Sequence, residues 1–225
     1  MTPRGRRLAC LFLAALCAIL PASAARADGI PGSFDYYVLT LSWSPSYCAG
    51  EGAARGEPQC DGTRPYAFVL HGLWPQYQRG WPSHCDTGKR PWVRPGLIDA
   101  MLDIMPSPRL VIHEYRKHGT CAGLSPERYF ALSRKLFSRI RIPPRYQRPR
   151  THLLVSPQEL EADFLKANPE LDASQIAVAC SGNRHLREVR ICFSRKHEPT
   201  ACGENERQDR LCRLDKIVLP PVRGR

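Results

Sequence analysis

Residues 35–43 read DYYVLTLSW, a run of β-branched and aromatic side chains that predicts a strand. A second strand is predicted over 66–71, because apolar residues alternate there between Arg64-Pro65 and Gly72. This strand would deliver His71 at its end. Three later runs also predict strands, at 175–180, 186–193 and 216–219.

Three helices are predicted between the early and the late strands. The first begins at Pro95 and stops at Pro106, and the second follows Ser125 as its N-cap. The third begins with a capping box at 156–159 and stops at 168–169. Strands followed by helices and then by strands indicate an α+β fold, with an antiparallel-rich β-sheet flanked by helices.

The composition is that of a folded domain. The chain has 225 residues, 43% of them hydrophobic, and a formal net charge of +12. These values exclude a disordered tail protein, and no residue type is frequent enough for a fibrous repeat. No internal repeat or low-complexity linker divides the chain, so one domain is expected.

The N-terminus has the pattern of a secretory signal peptide. Arg4, Arg6 and Arg7 precede an apolar run over 8–20, and small residues follow it. Cleavage after Ala27 is favoured over cleavage after Ala24, so residues 1–27 are expected to be removed and 28–225 to form the mature domain. No later stretch approaches about 18 apolar residues. We therefore expect a soluble exported protein, periplasmic or extracellular, with no membrane anchor.

Eight cysteines remain after residue 27, and an even number in an exported chain predicts disulfides. Short closures such as Cys48 with Cys60 and Cys192 with Cys202 are plausible, but sequence alone leaves the pairing open. A zinc site is disfavoured because the cysteines lack paired C-x-x-C spacing. The eight are Cys48, Cys60, Cys85, Cys121, Cys180, Cys192, Cys202 and Cys212.

Two short segments carry the candidate chemistry: residues 68–76 (FVLHGLWPQ) and 112–121 (IHEYRKHGTC). If the second segment is helical, Glu114 and His118 share a face at i, i+4. A carboxylate beside an imidazole can orient it and raise its pKa, which suits a general base. With Lys117 and a third imidazole at His71, the segments supply a base, an acid and a positive charge. That set suits acid–base catalysis of phosphoryl transfer.

Each feature also has a structural interpretation. A lone histidine such as His71 is more often structural, and Trp74 could be part of the core. The pair His113-Glu114 suggests a zinc helix, but H-E-x-x-H requires histidine at position 117, where Lys117 stands. Four further histidines show no partner pattern and stay unassigned: His84, His152, His185 and His197.

Residues 71–75 (HGLWP) resemble the first active-site segment of the ribonuclease T2 family, and residues 113–121 (HEYRKHGTC) resemble the second. Residues 39–48 are similar to the family's opening strand, so the resemblance covers essentially the whole mature chain. The family usually has Trp where this chain has Tyr115. The resemblance implies a ribonuclease T2-like α+β fold stapled by disulfides.

The resemblance also implies a reaction. His118 would be the general base that takes the proton of the ribose 2′-hydroxyl, and His71 the general acid that protonates the departing 5′-oxygen. The product would be a 2′,3′-cyclic phosphate, hydrolysed more slowly to a 3′-phosphate. DNA lacks the 2′-hydroxyl and could not react, so the implied substrate is single-stranded RNA. No metal and no cofactor are required.

Further residues have roles implied by the same resemblance. Glu114 and Lys117 would stabilise the pentacoordinate phosphorane, and His113 with Trp74 would hold the phosphate. Tyr77 and Trp81 are candidates for stacking on bases, with plain packing as the alternative. The implied disulfides are Cys48–Cys60, Cys85–Cys121, Cys180–Cys212 and Cys192–Cys202.

The charge of the mature chain permits a second class of function. Residues 1–27 contain four Arg and no acid, so removing them leaves a charge of +8. This charge suits RNA, but it equally suits a non-catalytic cationic secreted protein that binds polyanions. That alternative does not explain three His, one Glu and one Lys at the family's spacing. A monomer is expected.

Overall fold

A computed structural model describes residues 29–224. The predicted signal peptide at 1–27 lies outside the described residues. Within the described part of the chain, no helix is both long enough and apolar enough to cross a membrane.

The main sheet contains four antiparallel strands, and a separate antiparallel pair lies elsewhere. The strands are β1 (Tyr36–Trp43), β2 (Phe68–Gln76), β3 (Leu153–Val155), β4 (Ile176–Cys180), β5 (Leu186–Ser194) and β6 (Ile217–Leu219). The order in the main sheet is β2-β1-β5-β4, and β3 pairs with β6. The five strands predicted from the sequence are all present, and the predicted α+β class is confirmed.

Seven helices lie in the described chain: α1 (Ser44–Cys48), α2 (Glu51–Ala54), α3 (Pro95–Asp99), α4 (Pro108–Glu114), α5 (Pro126–Arg139), α6 (Pro157–Ala167) and α7 (Gln208–Leu211). The predicted caps are confirmed, since Ser125 caps α5 and Ser156 with Glu159 forms the capping box of α6. The first predicted helix is shorter than expected. The residues after Asp99 form turns. There the Ile104 carbonyl accepts a hydrogen bond from the Leu70 N–H of β2 at 2.8 Å, so it is not used within a helix.

The two faces of the main sheet have different neighbours, because alternate residues of a strand point to opposite sides. Leu39 and Leu41 of β1 belong to the main core, which also contains the apolar faces of α5 and α6. Tyr36 and Val38 lie in a small second cluster with Trp74 of β2. The helices therefore cover one face, and the other face is left for the candidate chemistry.

Strand β2 does not end at His71, so that prediction is wrong. The strand continues to Gln76, and its Pro75 is tolerated because β2 lies at the edge of the sheet. Thr40 of β1 pairs with Gly72 and the next residue pairs with Leu70, so His71 has no partner in the β1 register. This bulge places the His71 side chain on the sheet surface.

The predicted helix over 113–118 is also altered. Helix α4 ends at Glu114, and Tyr115–Gly119 form one π-helical turn, in which Thr120 N–H donates to the Tyr115 carbonyl at 2.9 Å. The Tyr115 ring packs against Gly119, where a Cβ atom would collide with it. Tyr115, at the position where the family usually has Trp, is buried beside Tyr129 of α5.

Four disulfides join the pairs that the resemblance implies: Cys48–Cys60, Cys85–Cys121, Cys180–Cys212 and Cys192–Cys202. Cys85–Cys121 ties the loop after β2 to the residues that follow the π turn. The same loop is held by His84, whose N–H donates to the Lys117 carbonyl at 2.9 Å. The two candidate segments are thus linked covalently and by the backbone.

We expect two disulfides of similar loop length to stabilise the fold equally. Cys85–Cys121 and Cys180–Cys212 span 36 and 32 residues. Replacing either pair by serine is expected to lower the free energy of unfolding by about 4 kcal/mol, because the unfolded chain regains loop entropy. Urea unfolding of the two double variants measures this. Losses that differ by more than about 2 kcal/mol would contradict the loop-length account.

Candidate active site

The candidate site lies on the sheet face opposite the helices, where β2 meets the end of α4 and the π turn. Strand β2 supplies His71 and Trp74, and the other segment supplies Glu114, Lys117 and His118. The Trp74 ring contacts both imidazoles. Its centroid lies 5.1 Å from His71, edge to face, and 5.2 Å from His118, stacked at 24°. One indole ring therefore sets the spacing of two histidines that are 47 positions apart in sequence.

The carboxyl group of Glu114 is buried at the centre of the site. Trp74 Nε1–H donates to Glu114 Oε2 at 2.7 Å, and Glu114 Oε1 lies 3.7 Å from His71 Nε2. The carboxyl group occupies the space that a Cβ atom on Gly72 would need. Glycine at position 72 is thus required for α4 to approach β2 this closely.

The predicted pairing of Glu114 with His118 is therefore wrong. The carboxyl group turns toward β2, and no hydrogen bond or ion pair joins it to His118 in the described chain. The predicted rise in the pKa of His118 is wrong as well. Burial, followed by the positive charges of Lys117 and His71, lowers the pKa of His118 well below 6.5. Its side chain is buried, and its Nδ1 atom has no hydrogen-bond partner within residues 29–224.

His71 has the opposite environment because two carboxyl groups face it. Its Nδ1 lies 2.8 Å from Glu188 Oε1 of β5, and its Nε2 faces Glu114. Burial favours the neutral imidazole, but the Glu188 hydrogen bond and the charges of Glu114 and Glu188 outweigh burial and raise the pKa of His71. Glu188 is itself buried, and His71 with Arg190 holds the pKa of Glu188 at about 2 despite that burial.

Arg190 of β5 binds the carboxylate oxygen of Glu188 that does not face His71. Its Nε and Nη2 atoms donate to Glu188 Oε2 at 3.2 and 3.1 Å, and its Nη1 donates to Glu206 Oε1 at 3.4 Å. The Tyr36 hydroxyl donates to the other oxygen of Glu206. The Arg190 guanidinium also lies over the Trp74 ring, 5.1 Å from its centroid. This charge network fixes both His71 and Trp74.

Two further groups complete the electrostatics. Burial raises the pKa of Glu114 to about 7, although His71 and the Trp74 hydrogen bond favour its charged form. Burial and the charge of Lys117 lower the pKa of His113. The pKa values of one carboxyl group and three imidazoles of the site are therefore all displaced from their ordinary values.

Two cavities meet at these residues. The first, of about 700 Å³, is lined by Trp74, Lys117 and His118, with the half-exposed ring of Trp81 at its wall. The second, of about 480 Å³, is lined by His71 and His113. Tyr77, in contrast, packs against the core. All six residues predicted for the site are thus brought together, and Glu114 is buried beside His71 and Trp74.

Sequence reasoning missed Glu188 and Arg190. A signal for them was present, because β5 places Glu188 and Arg190 two positions apart, on either side of the buried Val189. Two charges on one face of a strand inside a sheet require buried partners. Which partners they have depends on the pairing of β5 with β1, and no local pattern gives that pairing.

The chain is similar in sequence to proteins named as ribonucleases. The chain is 37% identical to "Ribonuclease" of Aeromonas hydrophila over 213 residues, covering 89% of this chain and 92% of that protein. It is 31% identical to "Probable ribonuclease" of Haemophilus influenzae, covering 75% of this chain and 61% of that protein.

Solved structures share the fold at lower sequence identity. An RNase-related protein from Calystegia sepium matches with a TM-score of 0.63 at 20% identity, over 84% of this chain and 98% of that one. Trichomaglin, whose structure is titled a novel S-like ribonuclease, matches with a TM-score of 0.61 at 20% identity and the same coverage. The family model described as "Ribonuclease T2 family" matches residues 34–202. Because this match spans both active-site segments and the whole main sheet, the chain belongs to the ribonuclease T2 family.

Proposed function

We propose that this protein is an endoribonuclease that cleaves single-stranded RNA by metal-independent acid–base transesterification. One observation carries the proposal: two imidazoles in contact with one indole ring have pKa values moved in opposite directions. Two groups whose pKa values are displaced in opposite directions are suited to act as base and acid in the same pH range. The family match and the ribonuclease names of the relatives support the same activity.

His118 acts as the general base. Its low pKa keeps the imidazole neutral near pH 7, so it can accept the proton of the ribose 2′-hydroxyl. The 2′-oxygen then forms a bond to phosphorus. His71, protonated because of Glu188, gives its proton to the 5′-oxygen as the bond between phosphorus and that oxygen breaks. The products are a 2′,3′-cyclic phosphate and a free 5′-hydroxyl, and slower attack by water yields the 3′-phosphate.

Glu114 and Lys117 stabilise the phosphorane, and His113 and Trp74 hold the phosphate. An ionised carboxylate would repel the developing negative charge. The raised pKa of Glu114 removes this difficulty, because the protonated carboxyl can donate a hydrogen bond to a phosphoryl oxygen. The Lys117 ammonium supplies positive charge at the same place. These two groups thus complement the charge that forms in the transition state.

The attacking oxygen belongs to the substrate, so RNA reacts and DNA does not. Every proposed catalytic residue comes from one chain, which supports a monomer as the active unit. Four disulfides are typical of proteins that fold in an oxidising compartment. With the predicted signal at 1–27, they support an exported catalytic domain over 28–225, in a periplasm or outside the cell.

Product analysis tests the proposed function directly. Mature oxidised protein is incubated with single-stranded RNA in excess EDTA, beside a matched DNA strand, and the termini are identified by mass spectrometry. We expect 2′,3′-cyclic phosphate ends on RNA and intact DNA. His71→Ala and His118→Ala are each expected to lower kcat by about 10²–10⁴-fold, whereas His197→Asn, away from the site, should keep the wild-type rate. RNA that is bound but uncut across a pH series would favour the polyanion-binding alternative.

The pH dependence of kcat/KM is expected to be bell-shaped, because the base must be neutral and the acid protonated. The rate should increase with pH in a range below pH 6.5, where His118 loses its proton. It should decrease at higher pH, where His71 loses its proton and the Glu114 carboxyl, whose pKa is about 7, ionises. Glu188→Gln removes a negative charge beside His71, so the alkaline limb should move to lower pH while the acid limb stays in place.

Glu198→Gln is the matched control, since it removes one exposed carboxylate paired with Arg139 and away from His71. Its profile should coincide with that of the wild type. If Glu188→Gln lowered the rate uniformly without moving the alkaline limb, Glu188 would be a structural residue and not a positioning residue for the acid.

The proposed protonation of Glu114 predicts an order of activities among its variants. Glu114→Gln keeps an N–H donor and an acceptor for Trp74 Nε1, whereas Glu114→Ala removes both. We expect Glu114→Ala to lower kcat by about 10²–10³-fold, as loss of one transition-state donor does, and Glu114→Gln to lose at least tenfold less. Steady-state kinetics on one RNA dinucleotide measures both. Equal losses would show that the negative charge of Glu114 is what the reaction needs.

A further inference from the structure

A third cavity, of about 270 Å³, lies beside the His71 side of the catalytic site. It is lined by arginine, histidine and tyrosine side chains that no step of the reaction uses: Arg64, Tyr66, His152, His185 and Arg223. These residues come from the loop before β2, from the flanks of β3 and β5, and from the chain after β6. We call this space the Arg64/Arg223 cavity.

The Arg64/Arg223 cavity adjoins the cavity that contains His71 and His113. Gln59 lines both of them. Along α1, Tyr47 lines the catalytic cavity and the next residue, Cys48, lines the Arg64/Arg223 cavity. The disulfide Cys48–Cys60 holds the segment that carries Gln59 in place. The two cavities therefore share a wall, to which Gln59 and α1 contribute.

The side chain of Gln59 indicates that a polar ligand binds where the two cavities adjoin. Its Oε1 atom is buried and has no hydrogen-bond partner among the described residues. Buried polar atoms are rarely left unpaired, so an unpaired side-chain amide in the wall between two open cavities is suited to bond a ligand. Ribose hydroxyls and base N–H groups are donors of the required kind.

The charge of the Arg64/Arg223 cavity suits an anion. No acidic side chain is among its lining residues. Within residues 29–224, neither the Arg64 nor the Arg223 guanidinium takes part in an ion pair. The neighbouring carboxylate of Asp61 accepts hydrogen bonds from the N–H and the hydroxyl of Thr63. Arginine forks match phosphate groups, and the Tyr66 ring offers a surface on which a base can stack.

The direction of the chain follows from the proposed role of His71. His71 protonates the oxygen of the departing nucleotide, so the RNA on the 3′ side of the cleaved bond leaves through the cavity that His71 lines. The next nucleotide on that side would reach the Arg64/Arg223 cavity. We propose that this cavity is a subsite for RNA downstream of the cleavage point, in which Arg64 and Arg223 bind a phosphate. The proposal depends on the proposed acid role of His71.

Chimeric oligonucleotides with one ribonucleotide test the subsite, because their position of cleavage is known. The minimal substrate is a dinucleotide with a 5′ ribonucleotide. A second substrate adds three deoxynucleotides on the 3′ side, and a third adds three on the 5′ side. We expect the 3′ extension to raise kcat/KM of the wild type at least fivefold, mainly through KM. The rise should weaken with salt, as phosphate contacts do.

The test variant is Arg64→Ala/Arg223→Ala, and the control is Arg128→Ala/Lys135→Ala. The control removes the same charge from exposed positions on α5, which lines neither of the two adjoining cavities. We expect the test variant to cleave the dinucleotide at the wild-type rate and to lose the gain from the 3′ extension. The control should keep that gain. Circular dichroism and melting temperature confirm that both variants are folded.

The outcomes are distinct. The subsite is overturned if the wild type gains nothing from the 3′ extension, if it gains only from the 5′ extension, or if the test variant keeps the full gain. Loss of the gain in the control to the same extent would also overturn it, since general positive charge would then explain the effect. If the wild type does not cleave the dinucleotide in the first place, the proposed function itself fails, and the subsite fails with it.

Discussion

The hydrogen bond from Trp74 Nε1 to the buried Glu114 carboxyl is the contact on which the rest of the site depends. It joins an edge strand to the end of a helix, and it forms only because Gly72 leaves room for the carboxyl group. The bond orients the indole ring, which in turn contacts the imidazoles of His71 and His118. The same burial that makes the contact possible raises the pKa of Glu114 to about 7, because the charged form loses its hydration.

Desolvation and local charge then act differently on two groups of the same type. His118 is buried near positive charges, and no carboxylate of residues 29–224 is bonded to it, so its neutral form is favoured. His71 is flanked by two carboxyl groups, one of which is held by Arg190, so its charged form is favoured. Identical side chains on different elements thus have pKa values displaced in opposite directions. The Trp74 ring contacts both of them.

The surroundings of the site make these positions rigid. The Tyr129 hydroxyl of α5 donates to the Leu73 carbonyl of β2 at 2.9 Å, so the covered face of the sheet holds the strand that carries His71. On the open face, side-chain hydrogen bonds connect Tyr36 to Glu206, Glu206 to Arg190, and Arg190 to Glu188. This network holds Glu188 in place beside His71. Ordered support on both sides lowers the reorganisation that the reaction requires.

The sequence by itself determined the elements and the chemistry. The apolar run of β1 and the capping box at Ser156 and Glu159 act over a few neighbouring residues, so local reasoning predicted them. The two motifs gave the residue types of the site for the same reason. Only the tertiary structure decided how these residues are arranged. It sets the bulge at His71, turns the Glu114 carboxyl toward β2, and brings Glu188, 117 positions later in the sequence, beside His71. Charge and burial depend on which strands lie side by side, and strand pairing is a long-range property that no local pattern contains.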